Sequence, residues 1–600
     1  MNVRFTLICT ITAVMTLLAG CSMAPVKHTA LARSDFGYTK EYIRWLARKE
    51  MSKDDVTGLS IALVDDQQVV WAEGFGMADR EKQVPATPET IYRVGSISKL
   101  FTATTAMQLS EQGKLDIDKP LQTYLPEFSI KRRFPDSPPI TPRTLMTHHS
   151  GLPSDHLKGM WTNQPESYAK LLGYLRDEYA VLPPNTVFSY SNLGVTLLGL
   201  AEERVAGQDF ASLMRSFLLE PLGMAHSSFT TGPDRSPAAA RAYSKDSLVE
   251  EPGLRDVPAG GLNSTVLDLS RLIRMVFADG ISNGKRIISH ESLSEMLRPQ
   301  NGSVALDLNF HIGLGWMLSG LGQIDIKNAG PVAHHSGATL FHRCTLVMLP
   351  EQKLGVVVIS NSSTSTQVVN KLAAETLKLA LEAKTGITQP ERVKRNDGEN
   401  TIPESVFKSY EGRYATSAGL VPVTMKSGYL LAEVNGTPLR LVPGADGLLS
   451  LKYKLLGLFP VSLGELDDVG ITRDTINEHD ILKARLGGQE LLIGQRITTV
   501  PIPPVMQARV GEYEIINRGN DAKMFDNIVL RIDNGLLVVE YSMPLLFEGK
   551  PSFVLEPVSD NEAVISGLGR GMGETLRAAT IDGKDVILFS GYQLRKKIHD

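Results

Sequence analysis

Ser96 and Lys99 stand three residues apart where the apolar run Ile91-Tyr92-Arg93-Val94 breaks at Gly95. A serine hydroxyl is a weak nucleophile and needs a base to take its proton. A lysine three residues further along a helix lies on the same face, within reach of that hydroxyl. With an ordinary pKa of ~10.4, however, only about one lysine in 2,500 is neutral at pH 7, a cost of roughly 4.6 kcal/mol. Burial lowers a lysine pKa by several units and removes most of that cost. From Ser98 to Gln112 there is no Pro or Gly, and Leu100, Ala103, Ala106, Met107 and Leu109 recur at helical spacing before Gly113, so the pattern predicts an apolar helix around Lys99. At the first turn of such a helix the Ser96 N–H has no intrahelical acceptor and faces a field that favours anions. The pair alone does not decide the matter. Ser-x-x-Lys recurs at Ser167-Lys170, Ser282-Lys285 and Ser405-Lys408, and a capping serine followed by a solvated lysine is the alternative reading of each.

The elements that must position this pair follow from periodicity. A helix through Tyr42, Trp45 and Leu46 precedes a hairpin, Gly58 to Val64 and Val69 to Phe75, joined by Asp65-Asp66-Gln67-Gln68. Pro120 to Pro142 reads as surface connections, and residues 153–166 as a long loop able to cover a cleft. Tyr190-Ser191-Asn192 heads the apolar run Leu193 to Ala201, where a helix cap is the bland reading. Pro258-Ala259-Gly260-Gly261-Leu262, whose glycines suit close backbone packing, precedes a helix from Val266 to Phe277. His334-His335-Ser336-Gly337 comes before strands Thr345 to Leu349 and Gly355 to Ser360, and Lys384-Thr385-Gly386 closes the helix Val368 to Ala383 as a cap. The adjacent His148 and His149 would point apart on an extended chain, and no His-Glu-x-x-His helix occurs, so their reading is structural and no metal or other cofactor is expected.

Six hundred residues suggest several domains, with 42% hydrophobic and 21% charged residues giving ample chain for a core. A net charge of −4 without a basic stripe argues against a nucleic-acid partner. Residues 1–20 read as an export signal, with Arg4 and an apolar run from Phe5 to Leu18 that is short for a membrane span. The ending Leu18-Ala19-Gly20-Cys21 resembles the lipobox of bacterial lipoproteins, which implies acylation of Cys21 and a membrane tether over residues 21–35. By the same resemblance Ser22 favours the outer membrane, facing the periplasm, if the host is Gram-negative; a plain secretory signal is the alternative. Of three cysteines only Cys344 would then remain, without a disulfide partner.

Residues 386–404 form a linker, after which short strands and turns take over. Tyr410-Glu411-Gly412-Arg413-Tyr414 recurs as Arg509-Val510-Gly511-Glu512-Tyr513, Gly428-Tyr429-Leu430-Leu431 as Gly535-Leu536-Leu537-Val538, and Leu441-Val442-Pro443 as Leu555-Glu556-Pro557. Two related antiparallel barrel-like units, 405–499 and 505–600, fit these matches.

Ser96-x-x-Lys99, Tyr190-x-Asn192 and His335-Ser336-Gly337, in that order and about 94 and 145 residues apart, resemble the three motifs of the serine β-lactamase and penicillin-binding-protein superfamily. The Tyr-x-Asn form is similar to the class C branch, with its D-aminopeptidases and esterases, and Thr147 to Leu152 and Pro258 to Leu262 resemble two further family segments. The resemblance spans residues 36–385 and implies an α+β fold, an antiparallel sheet flanked by helices beside a helical subdomain. It implies Ser96 as acylated nucleophile, Lys99 and Tyr190 sharing the proton traffic, Asn192 holding the substrate amide, and His335, Ser336, Gly337 and Ala338 lining the substrate. The backbone N–H groups of Ser96 and Ala338 would form an oxyanion hole. His335 replaces the lysine of the usual third motif, which weakens the fixed charge at pH 7 and turns the expectation from efficient β-lactam hydrolysis toward a peptidase or esterase. Alternatives are a penicillin-binding DD-peptidase or weak β-lactamase and, in another class, a non-catalytic scaffold.

Overall fold

A computed structural model describes residues 23–27, 33–320, 324–391, 403–426, 429–444, 446–455, 459–461, 464–545 and 549–598. The export segment and Cys21 lie outside the described residues, as do residues 392–402 of the linker.

The part of the chain that carries the three motifs is built on a six-stranded sheet in the order Ala333–Ala338, Arg343–Leu349, Leu354–Ser360, Gly58–Asp65, Gln68–Asp79, Val84–Pro85, antiparallel throughout. Both faces of its centre are buried, and the period of two is legible in the core. Leu59, Ile61 and Leu63 pack on one side with Ile43 and Leu46 of helix Gly37–Lys53 and Leu372 and Leu377 of helix Thr366–Thr385. Ala62, Val64, Val357 and Ile359 face the other way, onto Leu269 and Ile273 of helix Val266–Phe277 and the helical subdomain behind it. The helix predicted to begin at Ser98 runs from Ser98 to Glu111 and is buried from Ser98 to Leu109. Each large apolar side chain buried there contributes about 1.5–3 kcal/mol, so Leu100, Phe101 and Leu109 together offset the desolvation of one amine. The His335 motif lies on the strand Ala333–Ala338 itself, not in a connection ahead of it.

Two closed eight-stranded barrels follow. In the first, Gly412–Thr416 pairs with Gln489–Arg496 and Thr437–Pro443 with Leu449–Leu455 to close the ring, while the short Phe459–Val461 pairs with Leu449–Leu455. In the second, Gly511–Ile515 closes on Tyr592–Lys596. The sequence repeats fall on equivalent places: Tyr429–Val434 and Leu536–Ser542 are each third strands, and Leu441–Pro443 and Leu555–Pro557 each end a fourth. In both units the tyrosine of the first strand donates its hydroxyl to the carbonyl four residues back, Tyr414 to Tyr410 at 3.0 Å and Tyr513 to Arg509 at 2.6 Å. The interiors are filled by side chains, among them Tyr414, Leu430 and Leu441 in the first and Ile528, Leu537 and Leu576 in the second. The cavity left inside the second is about 20 Å³, room for about one water.

The second barrel is docked on the loop 153–166. Asp521 accepts from Lys158 Nζ and from the Gly159 N–H, both at 2.9 Å, and Ser590 Oγ accepts from the Leu157 N–H at 2.8 Å. From the other side the buried Arg255 donates to the carbonyls of Lys158 and His156. The loop that could cover a cleft is therefore clamped between the subdomain and a barrel.

Candidate active site

Two glycines bring the Ser96 turn onto the sheet edge. Gly95 has φ +53°, and a Cβ there would sit 2.5 Å from the Ala338 carbonyl oxygen; a Cβ on Gly337 would sit 1.9 Å from the Val94 carbonyl oxygen. No side chain fits either place, so the backbone of residues 94–96 lies directly against that of 337–338. The direction of the Ala338 N–H follows from strand alternation. The Thr339 N–H donates inward to His342, whereas the His334 N–H donates outward to Met317. Residues 334, 336 and 338 share that outward side, which directs the Ala338 N–H away from the sheet and toward the Ser96 turn.

Lys99 is 1% exposed. Its Nζ lies 3.1 Å from Ser96 Oγ, 2.7 Å from Asn192 Oδ1 and 2.7 Å from the Ala259 carbonyl oxygen. Two of these three partners are acceptors only. When the amine is neutral, its two hydrogens satisfy Asn192 and Ala259, and the remaining lone pair is left for the Ser96 hydroxyl proton. Asp155 fixes which way Asn192 faces, because its Oδ1 accepts from Asn192 Nδ2 at 2.7 Å. Burial, and next the positive charge of Arg570, lower the Lys99 pKa from 10.5 to about 7, against Asp155 and Asp256. The 4.6 kcal/mol cost of the neutral form thus falls to about 0.4 kcal/mol at pH 7.

The Tyr190 phenol lies beside Ser96, and burial pushes its pKa up against that neighbour's influence, so the phenol stays protonated at neutral pH. Its ring lies 4.9 Å from Lys99 Nζ and 4.2 Å from the His148 ring, tilted at 34° to it. His148 is neutral, its pKa driven down by burial first and then by the Lys99 charge; its Nδ1 accepts from the Ser191 N–H at 3.1 Å. His149 instead pairs with Asp307 at 2.7 Å. Ser191 is the N-cap of helix Asn192–Ala206, accepting from the Gly194 N–H, so cap and site occupy adjacent residues. His335 is 2% exposed, and burial lowers its pKa to about 3. Its Nδ1 bonds the Ser336 carbonyl oxygen at 2.7 Å, which makes Nδ1 the protonated nitrogen; Nε2 is buried without a hydrogen-bond partner among the described residues, its ring 6.2 Å from that of Tyr190. Ser336 and Ala338 are exposed.

The structure therefore gathers Ser96, Lys99, Tyr190, Asn192 and the strand 335–338 in one place. Asn192 uses one Nδ2 hydrogen on Asp155 and accepts Lys99 on Oδ1, which leaves its second Nδ2 hydrogen for a further partner. The other Ser-x-x-Lys pairs lie elsewhere: Ser167 caps a short turn beside the Lys170–Glu166 ion pair, Ser282 and Lys285 face each other in a small hairpin, and Ser405 and Lys408 open the first barrel. Lys384 bonds Asp65 while Gly386 caps its helix at φ +83°. Sequence reasoning missed Asp155 and Arg570. The first sits in the loop marked as a possible cover, and the second in a run of alternating glycines, Gly567 to Gly573.

The beta-lactamase family model matches residues 43–381. Among curated proteins, Protein flp of Staphylococcus aureus (strain MRSA252) is 25% identical over 351 residues, 55% of this chain and 67% of its own length. A beta-lactamase of Providencia stuartii is 31% identical over 252 residues, 40% of this chain and 61% of its own. Among solved structures, SurE with D-Leu superposes with a TM-score of 0.55 at 24% identity, over 77% of this chain and all of that one, a likeness of fold. The family match takes in more than half of the chain and all three motifs around Ser96, so the chain belongs to the beta-lactamase family of serine hydrolase folds.

Proposed function

We propose that the chain is a serine hydrolase that cuts an amide or ester through an acyl-enzyme on Ser96, with peptide or D-amino-acid derivatives, including those from peptidoglycan, as its substrate class. The observation that carries this is the Lys99 amine, 3.1 Å from Ser96 Oγ, with its other two contacts on pure acceptors. Lys99 takes the hydroxyl proton as Ser96 Oγ attacks the carbonyl carbon. The oxyanion forms against the N–H groups of Ser96 and Ala338, each such donor contributing about 2.7–4 kcal/mol. Tyr190, protonated and beside Ser96, passes a proton to the leaving amine or alcohol and recovers it from Lys99. In the second half water attacks the acyl carbon, giving its proton back through the same pair, and Ser96 leaves as the hydroxyl.

The neutral His335 supports a peptidase or esterase over a β-lactamase, since it offers a substrate carboxylate no charge. The likeness to the Providencia stuartii enzyme keeps a penicillin-binding DD-peptidase or weak β-lactamase as the second reading. The lipobox-like Leu18-Ala19-Gly20-Cys21 supports an exported, lipid-anchored protein. Intact-mass labelling with a fluorophosphonate and with a fluorescent penicillin tests the reading on native protein and Ser96→Ala. A hydrolase gives a fluorophosphonate adduct that Ser96→Ala lacks, and a long-lived penicillin adduct favours the second reading. Native protein that takes neither label is a scaffold.

A further inference from the structure

Besides the Lys99 amine, a second cation at this site comes from another domain. The chain between strands Glu562–Ile565 and Thr575–Ile581 of the second barrel carries Gly567, Gly569, Gly571 and Gly573, all left-handed, with φ of +119°, +98°, +77° and +77°. Glycine alone takes such a path without strain. The loop is pinned to the catalytic domain on both sides of Arg570. Leu568 packs with Val187 and Leu306, the Gly571 N–H donates to Ser154 Oγ at 2.9 Å, and Glu574 Oε1 accepts from the Ser154 N–H at 3.1 Å. A Cβ on Gly573 would sit 2.8 Å from that of Val181.

Between these anchors Arg570 sets its guanidinium carbon 5.1 Å over the ring of Tyr190, which lies beside Ser96. Its ion pair with Asp155 Oδ2 is long, 3.5 Å, and its side chain is 56% exposed. The other oxygen of Asp155 is committed to Asn192. Around it His148 and His335 are neutral, and burial holds Glu574 protonated at neutral pH by raising its pKa to about 8. Arg570 is thus a charged planar fork with N–H donors to spare, at the mouth of a site whose own strand supplies only a neutral imidazole. Such a fork matches a carboxylate bidentately.

We propose that Arg570 is a specificity-determining residue that receives a carboxylate carried by the acyl group near the scissile bond, so that the second barrel completes the active site. The preferred substrates are then amides or esters of anionic acyl groups. This rests on the hydrolase reading above, and the experiment separates the two. Two esters, para-nitrophenyl hemisuccinate and para-nitrophenyl acetate, are compared by kcat/KM in native protein, Arg570→Gln and Arg570→Lys. The preference for the hemisuccinate falls at least tenfold in Arg570→Gln and recovers in part in Arg570→Lys; a smaller fall overturns the inference. If native protein hydrolyses neither ester, the hydrolase reading fails, and calorimetry still decides the anion site. Ser96→Ala then binds monomethyl succinate at least tenfold more tightly than Ser96→Ala/Arg570→Gln. Equal binding, or none to either, overturns the proposal.

Discussion

If Lys99 is the base, the pH dependence of acylation reports its titration, and the structure fixes the shape of that curve. With a pKa of about 7, the neutral fraction is about 9% at pH 6 and about 91% at pH 8. The rate of Ser96 labelling by a fluorophosphonate therefore rises about tenfold across that interval and is flat above pH 8. A lysine of ordinary pKa gives a different curve: about a hundredfold rise over the same interval, continuing toward pH 10. Tyr190 adds no falling limb near neutrality, because burial pushes its titration upward. The midpoint should also answer to two neighbours with opposite signs. Arg570 lowers the Lys99 pKa and Asp155 raises it, so Arg570→Gln moves the midpoint up and Asp155→Asn moves it down. Stopped-flow labelling from pH 5.5 to 10 measures all three curves. A log-linear rise past pH 9 in native protein, or a midpoint that moves the same way in both variants, refutes the assignment of the base.

Three other outcomes follow from particular residues. The lowered Lys99 pKa means the ammonium form is less favourable in the fold by about 5 kcal/mol; the unfolded chain binds the extra proton between about pH 7 and 10.5, so native stability rises with pH there. Lys99→Met lacks this dependence, so its stability relative to native is highest below pH 7 and falls by several kcal/mol toward pH 10 in urea titrations; a pH-independent difference contradicts the burial argument. Gly337→Ala would place a methyl 1.9 Å from the Val94 carbonyl oxygen and separate the two oxyanion donors, lowering kcat about 10²–10³-fold, whereas activity within threefold of native would remove the oxyanion geometry. If Cys21 carries a lipid anchor, metabolic labelling with palmitate marks native protein and not Cys21→Ser, and equal labelling of the two argues against the anchor.

The parts of this architecture legible in the sequence are those encoded locally. Continuous apolar, β-branched runs from Gly58 to Val64 and Gly355 to Ser360 marked the central strands, which are buried on both faces, and the apolar spacing after Ser98 marked the helix that buries Lys99. The barrel repeats were readable because Gly-x-Tyr and the paired strand ends recur in order. What stayed hidden depends on chain segments far apart. The Ala259 carbonyl that accepts from Lys99 belongs to a backbone, which carries no side-chain signature. Asp155 and Arg570 are ordinary charged residues until loop 153–166 and the second barrel close on each other, more than 400 positions apart in the chain. The orientation of the Asn192 amide likewise follows from that docking, because its partner Asp155 is held in the clamped loop.

The measurement that bears most directly on the whole account is a crystal structure of the protein with a slowly hydrolysed acyl group trapped on the enzyme. The acyl carbon should be bonded to Ser96 Oγ, its carbonyl oxygen lying about 2.7–3.1 Å from the N–H nitrogens of both Ser96 and Ala338, with Lys99 Nζ still on Asn192 and Ala259. An acyl group on any other side chain, or a carbonyl oxygen turned to solvent away from those two amides, would contradict it.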